Sequence, residues 1–162
     1  MRRVYEGRHM KLSFTVRGEV QPWQRTRIAW NPTTGAVRPF NRTAMTDYGH
    51  LVATAAAIAA REQGWRMVPR GVPVTLTVTA YLPIPASTSK RKALAMIGTP
   101  CTVKPDLENV AYKLIADVLQ KPDGTRPRAG VLFDDGQIWR GVIEKYWTVF
   151  SDARVVVAVE VD

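Results

Sequence analysis

Residues 104–109 read Lys-Pro-Asp-Leu-Glu-Asn, and residues 133–137 read Phe-Asp-Asp-Gly-Gln. These two segments, the first and second acidic turns, flank residues 110–120, where apolar residues recur at the spacing of an amphipathic helix. A predicted strand over residues 138–149 follows the second turn. Neighbouring carboxylates repel each other, so acids gathered in a basic chain indicate a cation between them. The stretch from residue 104 to residue 147 therefore organises the chain.

The chain of 162 residues is strongly basic, with 23 Lys and Arg residues against 14 Asp and Glu residues and a formal net charge of +9. This balance favours a polyanion such as nucleic acid as the partner. No apolar run approaches the length of a membrane span, so no membrane partner is expected. Cys101 is the only cysteine, which excludes intramolecular disulfides and cysteine-clustered zinc sites and fits a reducing cytoplasm. His9 and His50 are far apart in sequence and indicate no metal motif.

The rest of the sequence predicts both strands and helices. Three segments alternate apolar and polar residues in the manner of half-buried strands: residues 11–17, 72–82 and 155–161. A helix is predicted from residue 46 or 47 to about Gln63, and a shorter one over residues 89–96. Turns, with a short hairpin around Gly35, are expected in the proline-containing segment between the first strand and the first helix.

The two acidic turns, with a helix between them, resemble the RusA family of Holliday junction resolvases. That family's pattern is Pro-Asp-x-Asp-Asn, a helical lysine, and then Asp-Asp-x-Gln followed by Val or Ile. The resemblance extends more weakly to residues 22–27, Pro-Trp-Gln-Arg-Thr-Arg. It implies a single α+β domain over residues 11–162, a mixed β-sheet with two main helices packed on it, after a loose leader of residues 1–10.

The resemblance also implies a function. The expected activity is that of a magnesium-dependent, structure-selective endonuclease that resolves Holliday junctions by paired phosphodiester hydrolysis in DNA recombination and repair. A four-way junction needs two symmetric cuts, so a homodimer with two sites is expected. Manganese is the alternative cofactor, and the family suggests a phage or prophage gene in a bacterial cytoplasm.

The chemistry of phosphodiester hydrolysis assigns a role to the acidic turns. Mg²⁺ binds oxygen ligands, keeps several waters, and needs only a few carboxylates beside the substrate phosphate. The candidate ligands and catalytic acids are Asp106, Glu108 and Asp135. Asp134 is weaker, since adjacent side chains on an extended segment point in opposite directions, and by resemblance the second Asp of the pair is the catalytic one. Asp106 could instead simply cap the following helix.

The sequence departs from the family pattern at the catalytic lysine. The family places this lysine four residues after its second acid, but here Tyr112 stands four residues beyond Glu108 and Lys113 stands five. At about 100° per residue, Lys113 would lie about 140° around a regular helix from Glu108. A one-residue insertion is indicated, and a π-bulge or a later helix start would return Lys113 to the site. Glu108 itself replaces the usual Asp of the family.

Six basic residues are candidates for DNA contact. They are Arg25, Arg27, Lys90, Arg91, Lys92 and Lys104. Arg25 and Arg27 lie among aromatics, which suits a phosphate surface, although a solvated loop explains them equally well. The run of residues 90–92 would be a solvated face in an arbitrary protein, but its place before the first acidic turn favours a phosphate-binding role. Residues 121–130 form a polar loop, longer than the family's usual connection, that either reaches DNA or is inert.

Two other functions remain compatible with the sequence. Glu108 and the helical insertion could leave a RusA-like module that binds branched DNA but cuts it poorly. A nuclease for flaps or other branched DNA would use the same chemistry. The binding module shares the basic surface with a resolvase, and the two separate on whether Asp106, Glu108 and Asp135 converge.

Overall fold

A computed structural model describes residues 9–21, 27–40, 43–109 and 111–161. The six strands are β1 (Met10–Arg17), β2 (Arg27–Trp30), β3 (Val37–Phe40), β4 (Val74–Pro83), β5 (Ile138–Thr148) and β6 (Arg154–Val161). The three α-helices are α1 (Thr43–Glu62), α2 (Lys90–Met96) and α3 (Tyr112–Val118). Short 3₁₀ turns cover Leu107–Asn109, Asp135–Gln137 and Phe150–Asp152.

Four strands form one mixed sheet in the order β1-β6-β4-β5. β6 pairs antiparallel with β1 and β4, whereas β4 and β5 run parallel, with Val78 opposite Ile143. β2 and β3 form a separate antiparallel hairpin around the predicted turn at Gly35. The structure therefore confirms an α+β domain with a mixed sheet, and β5, which follows the second acidic turn, lies at one edge of that sheet.

The core lies on one face of the sheet because the strands alternate as the sequence predicts. In β6 every second residue from Val155 to Val161 is buried, and in β1 Leu12, Phe14 and Val16 are buried. Helix α1 packs on this face beside β1 and contacts α3, whose Leu114, Ile115 and Val118 are buried. Helix α2 buries none of its residues.

The helix that follows the first acidic turn starts late. Residues 107–109 form a 3₁₀ turn, and Ala111 then adopts a left-handed conformation with φ of 62°, which no α-helix can contain. Helix α3 begins only at Tyr112 and ends at Val118, short of the predicted end near Gln120. The expected later helix start is thus confirmed, and the extra residue of this chain is accommodated at Ala111.

Some predicted features lie outside the described residues. They are residues 1–8 of the leader, Arg25, and the side chains of Arg27 and Glu108. Within the described ranges, no helix is both long enough and apolar enough to cross a membrane.

Candidate active site

The first acidic turn is held against β5 by the segment that precedes it. Residues 98–101 run along the edge of β5, where the Cys101 N–H donates to the Lys145 carbonyl at 2.9 Å. The Lys145 ammonium donates to the carbonyls of Val103 and Pro105, the latter at 2.8 Å. The following 3₁₀ turn also contacts β5. A lysine in the middle of the edge strand therefore sets the position from which the Asp106 carboxylate extends.

The second acidic turn is held by a buried glutamine. The Gln137 side chain is only 6% exposed, and its Oε1 accepts from the N–H groups of Phe133 at 2.9 Å and Asp134 at 3.1 Å. Its Nε2 donates to the carbonyls of Pro69 at 2.7 Å and Val72 at 2.9 Å. The Gln137 side chain therefore forms hydrogen bonds within the turn and also links the turn to the segment that leads into β4.

The two neighbouring aspartates of this turn have different surroundings. A Cβ placed on Gly136 would lie 2.9 Å from Oδ1 of Asp134, so the half-buried Asp134 carboxylate folds against the turn where only glycine leaves room. Asp135 begins the 3₁₀ turn and is exposed. Only Asp135 of the pair lines the cleft described below.

A close contact between α3 and β5 fixes where α3 begins. A Cβ on Gly141 of β5 would lie 3.0 Å from Cζ of Tyr112 and closer still to its hydroxyl oxygen, so the tyrosine ring rests on the strand backbone. Burial raises the pKa of the Tyr112 hydroxyl above its ordinary value. Lys113 is the next residue and is exposed, so a displacement of the Tyr112 ring would also move Lys113.

An open cleft of about 670 Å³ lies between α1, α3 and the second acidic turn. Lys113 and Asp117 of α3 and Asp135 of the turn line it, and residues 125–127 form another wall. Lys113 lies at the start of α3, whereas Asp135 belongs to the second acidic turn. Helix α3 begins at Tyr112, and Lys113 in its first turn lines the same cleft as Asp135.

The described acidic residues of the two acidic turns do not all line the cleft. Asp106 is exposed on its turn but is absent from the described residues that line the cleft. Among the residues whose side chains are described, no three His, Cys, Asp or Glu groups are placed to hold a metal ion, and the Glu108 side chain is outside that set. Exposed carboxylates at two turns nevertheless fit a hard cation, since Mg²⁺ completes its shell with water and substrate phosphate.

The candidate DNA-binding lysines and arginines lie on exposed surface where they are described. Lys90, Arg91 and Lys92 are all exposed on α2, and Lys104 is exposed on the first acidic turn. Helix α2 leads directly into residues 98–101 at the edge of β5. The basic run is therefore connected to the same edge of the sheet as both acidic turns.

A basic α+β domain with carboxylates and a lysine at one edge of its sheet has the groups of a phosphodiester hydrolase that acts on a polyanion. The chain belongs to the RusA endodeoxyribonuclease family, since the family model described as Endodeoxyribonuclease RusA matches residues 18–160, nearly the whole chain. It is thus a Holliday junction endodeoxyribonuclease, a metal-dependent phosphodiester hydrolase that binds branched DNA. Among curated proteins, no sequence matches this chain significantly.

Sequence reasoning missed the residues that position the site. Gln137 is part of the recognised motif, yet nothing in its spacing indicates that it bonds residues 69–72. Lys145 and Gly141 read as ordinary residues of a strand. A glycine in a strand interior does signal a close approach of another group, and that signal could have drawn attention to Gly141.

Gly141→Ala is expected to lower cleavage activity about tenfold, because the new methyl group displaces the Tyr112 ring and shifts the start of α3 with Lys113. The free energy of unfolding should fall by about 1–3 kcal/mol, as in other overpacked sites. Junction cleavage rates and urea unfolding measure the two effects. Tyr112→Phe in the Gly141→Ala background removes the nearest atom and should restore part of the activity. Unchanged cleavage in Gly141→Ala would show that this contact does not position Lys113.

Proposed function

We propose that the chain cuts four-way DNA junctions in the cleft between α1, α3 and the second acidic turn, with Asp106, Glu108 and Asp135 as metal ligands. The observation that carries this proposal is the presence of Lys113 and Asp135 in one cleft. The two residues come from separate motifs, and a regular helix from Glu108 would have turned Lys113 away. In this proposal, the left-handed backbone at Ala111 accommodates the inserted residue.

Mg²⁺ is the proposed cofactor, with Mn²⁺ as the alternative. When bound, such an ion activates water and neutralises charge on the phosphate. The chain's own residues supply the rest. Asp135 presents an exposed carboxylate from a turn fixed by Gln137, and Lys113 offers an ammonium group to the phosphate oxygens, where negative charge develops during hydrolysis. Glu108 places its carboxylate one methylene further from the backbone than the family's usual Asp does.

The proposed DNA surface combines the exposed basic residues of α2 and the first acidic turn with Arg25, which precedes β2, and Arg27, the first residue of β2. Its members are Arg25, Arg27, Lys90, Arg91, Lys92 and Lys104. The protein is expected to act as a homodimer, because a junction is resolved by two symmetric cuts. A bacterial cytoplasm, and a phage or prophage gene, complete the proposal by family resemblance.

The decisive experiment is cleavage of a labelled synthetic four-way junction, beside a flap and a linear duplex, with Mg²⁺ or with EDTA. Paired nicks across the junction that require Mg²⁺ support the resolvase. Equal cutting of the flap would instead favour a general nuclease for branched DNA. Tight junction binding without cutting would favour a binding module, and Glu108→Asp would then test whether the longer acid is the cause.

Lys90→Ala combined with Arg91→Ala is expected to weaken junction binding and to lower the slope of log K against log salt by about two, since each lysine or arginine contact to a phosphate contributes about one. Titrations at several salt concentrations in EDTA measure the slope without cleavage. Lys11→Ala with Arg17→Ala on β1 is the matched control, because β1 is the opposite edge strand. An unchanged slope in the α2 variant would assign residues 90–92 to an ordinary solvated face.

A further inference from the structure

The polar loop of residues 121–130 is a fixed part of the structure. Its last residues return to the end of α3, where Ala129 N–H donates to the Val118 carbonyl at 2.7 Å and Gly130 N–H to the Gln120 carbonyl at 3.0 Å. Pro127 packs against α1, since its Cγ lies 3.6 Å from the position of a Cβ on Gly49. The loop is thus attached to both helices that border the cleft.

A nearly buried arginine anchors the loop from within. The Arg128 side chain is only 10% exposed, and its guanidinium lies 3.4 Å from Asp117 of α3 and 3.3 Å from Asp123. Asp123 Oδ1 also accepts hydrogen bonds from the Thr125 N–H and hydroxyl, each at 2.9 Å, and these bonds lower the pKa of the Asp123 carboxyl. Asp123 therefore stays ionised and remains a partner for Arg128.

Arg126 is the other arginine of the loop, and its surroundings differ. Its side chain is 62% exposed and lies 3.7 Å from Asp117, a distance and exposure at which an ion pair holds weakly. Arg126 lines the cleft together with Lys113 and Asp135. Because Arg128 already pairs with Asp117 and Asp123, Arg126 can turn from Asp117 toward an anion in the cleft without leaving that carboxylate unpaired.

We propose that the loop of residues 121–130 is a phosphate-binding wall of the cleft, in which Arg126 contacts a phosphate of the DNA strand being cut and Arg128 is the positioning residue. This inference rests on the proposed function, since it takes DNA as the occupant of the cleft. A planar guanidinium suits this role because it donates two parallel hydrogen bonds to phosphate oxygens. The competing explanation is that both arginines only fasten the loop to α3.

The test compares Arg126→Gln with Arg17→Gln. Arg17 is a matched control because it is also exposed and lies 3.6 Å from one carboxylate, that of Asp152, on the opposite edge strand. Arg126→Gln should weaken junction binding in EDTA about three- to tenfold and lower the salt slope by about one, whereas Arg17→Gln should change neither. Arg126→Lys should recover part of the affinity, because it keeps the charge but loses the paired hydrogen bonds.

The second part of the test substitutes Arg128, the residue that anchors the loop. Arg128→Gln should reduce affinity to about the level of Arg126→Gln and also lower the unfolding midpoint, whereas Arg126→Gln should leave that midpoint unchanged. An unchanged salt slope in Arg126→Gln would overturn the proposal and leave the loop with a purely structural role. Because binding is measured without metal, this outcome is separate from a wild-type protein that binds the junction but fails to cut it, which would overturn the proposed function instead.

Discussion

Asp135→Asn is expected to reduce junction cleavage at least about a hundredfold, because it removes a charged ligand of the proposed metal site while keeping the shape of the side chain. Several kcal/mol of transition-state stabilisation depend on such a site, and each 1.4 kcal/mol corresponds to about a factor of ten in rate. Junction binding should survive or tighten, since one negative charge facing the phosphates is lost. Single-turnover cleavage with Mg²⁺ and binding in EDTA separate the two effects.

Asp134→Asn is the matched control for this prediction. The change is chemically the same one residue earlier, but the Asp134 carboxylate folds against Gly136 and does not line the cleft. Its effect on cleavage should stay within a few-fold, as expected for a group outside the reacting centre. Asp106→Asn should behave like Asp135→Asn. Retained cutting in both Asp106→Asn and Asp135→Asn would refute the assignment of the metal site.

Gln137→Leu is expected to have the largest effect on stability. The substitution removes four hydrogen bonds, to the N–H groups of Phe133 and Asp134 and to the carbonyls of Pro69 and Val72. Each costs about 1 kcal/mol when its partner stays buried, and partial rehydration at the turn offsets some of the loss. The free energy of unfolding should therefore fall by about 2–4 kcal/mol, as measured by urea unfolding.

Cleavage should also fall in Gln137→Leu under conditions where the variant remains folded, because the turn that carries Asp135 loses its attachment to residues 69–72. Gln63→Leu is the matched control. Gln63 also bonds main-chain groups, the N–H and carbonyl of Ser13, but these bonds are exposed and lie on β1. Its loss should cost less than about 1 kcal/mol and leave cleavage unchanged. Full activity in folded Gln137→Leu would show that the glutamine stabilises the fold without positioning Asp135.

The sequence alone predicted most of the strands and helices because burial on one face imposes a period that survives in the residue order. Apolar and polar residues alternate in β1, β4 and β6, and apolar residues recur at helical spacing in α1 and α3, because one face of each element is buried. The predicted ends of the elements differ from the observed ones, because helix ends fray and are not set by periodicity. Helix α1, for example, begins at Thr43, before the predicted residue 46 or 47. The sequence left the start of α3 open between a π-bulge and a later start, since periodicity alone cannot reveal one left-handed residue at Ala111.

The candidate site shows the same division. The residue order determined the identities of the two acidic turns, the family, and the fact that Lys113 stands one position too far from Glu108. The tertiary structure decided that Lys113 and Asp135 share a cleft, that Asp134 turns away, and that Gln137 and Lys145 hold the two turns. The physical reason is that the bonds of Gln137 and Lys145 join residues 68 and 40 positions apart, and that Lys113 and Asp135 meet across the whole segment between α3 and the second acidic turn. Such contacts depend on strand order and side-chain direction, which no local pattern of the sequence encodes.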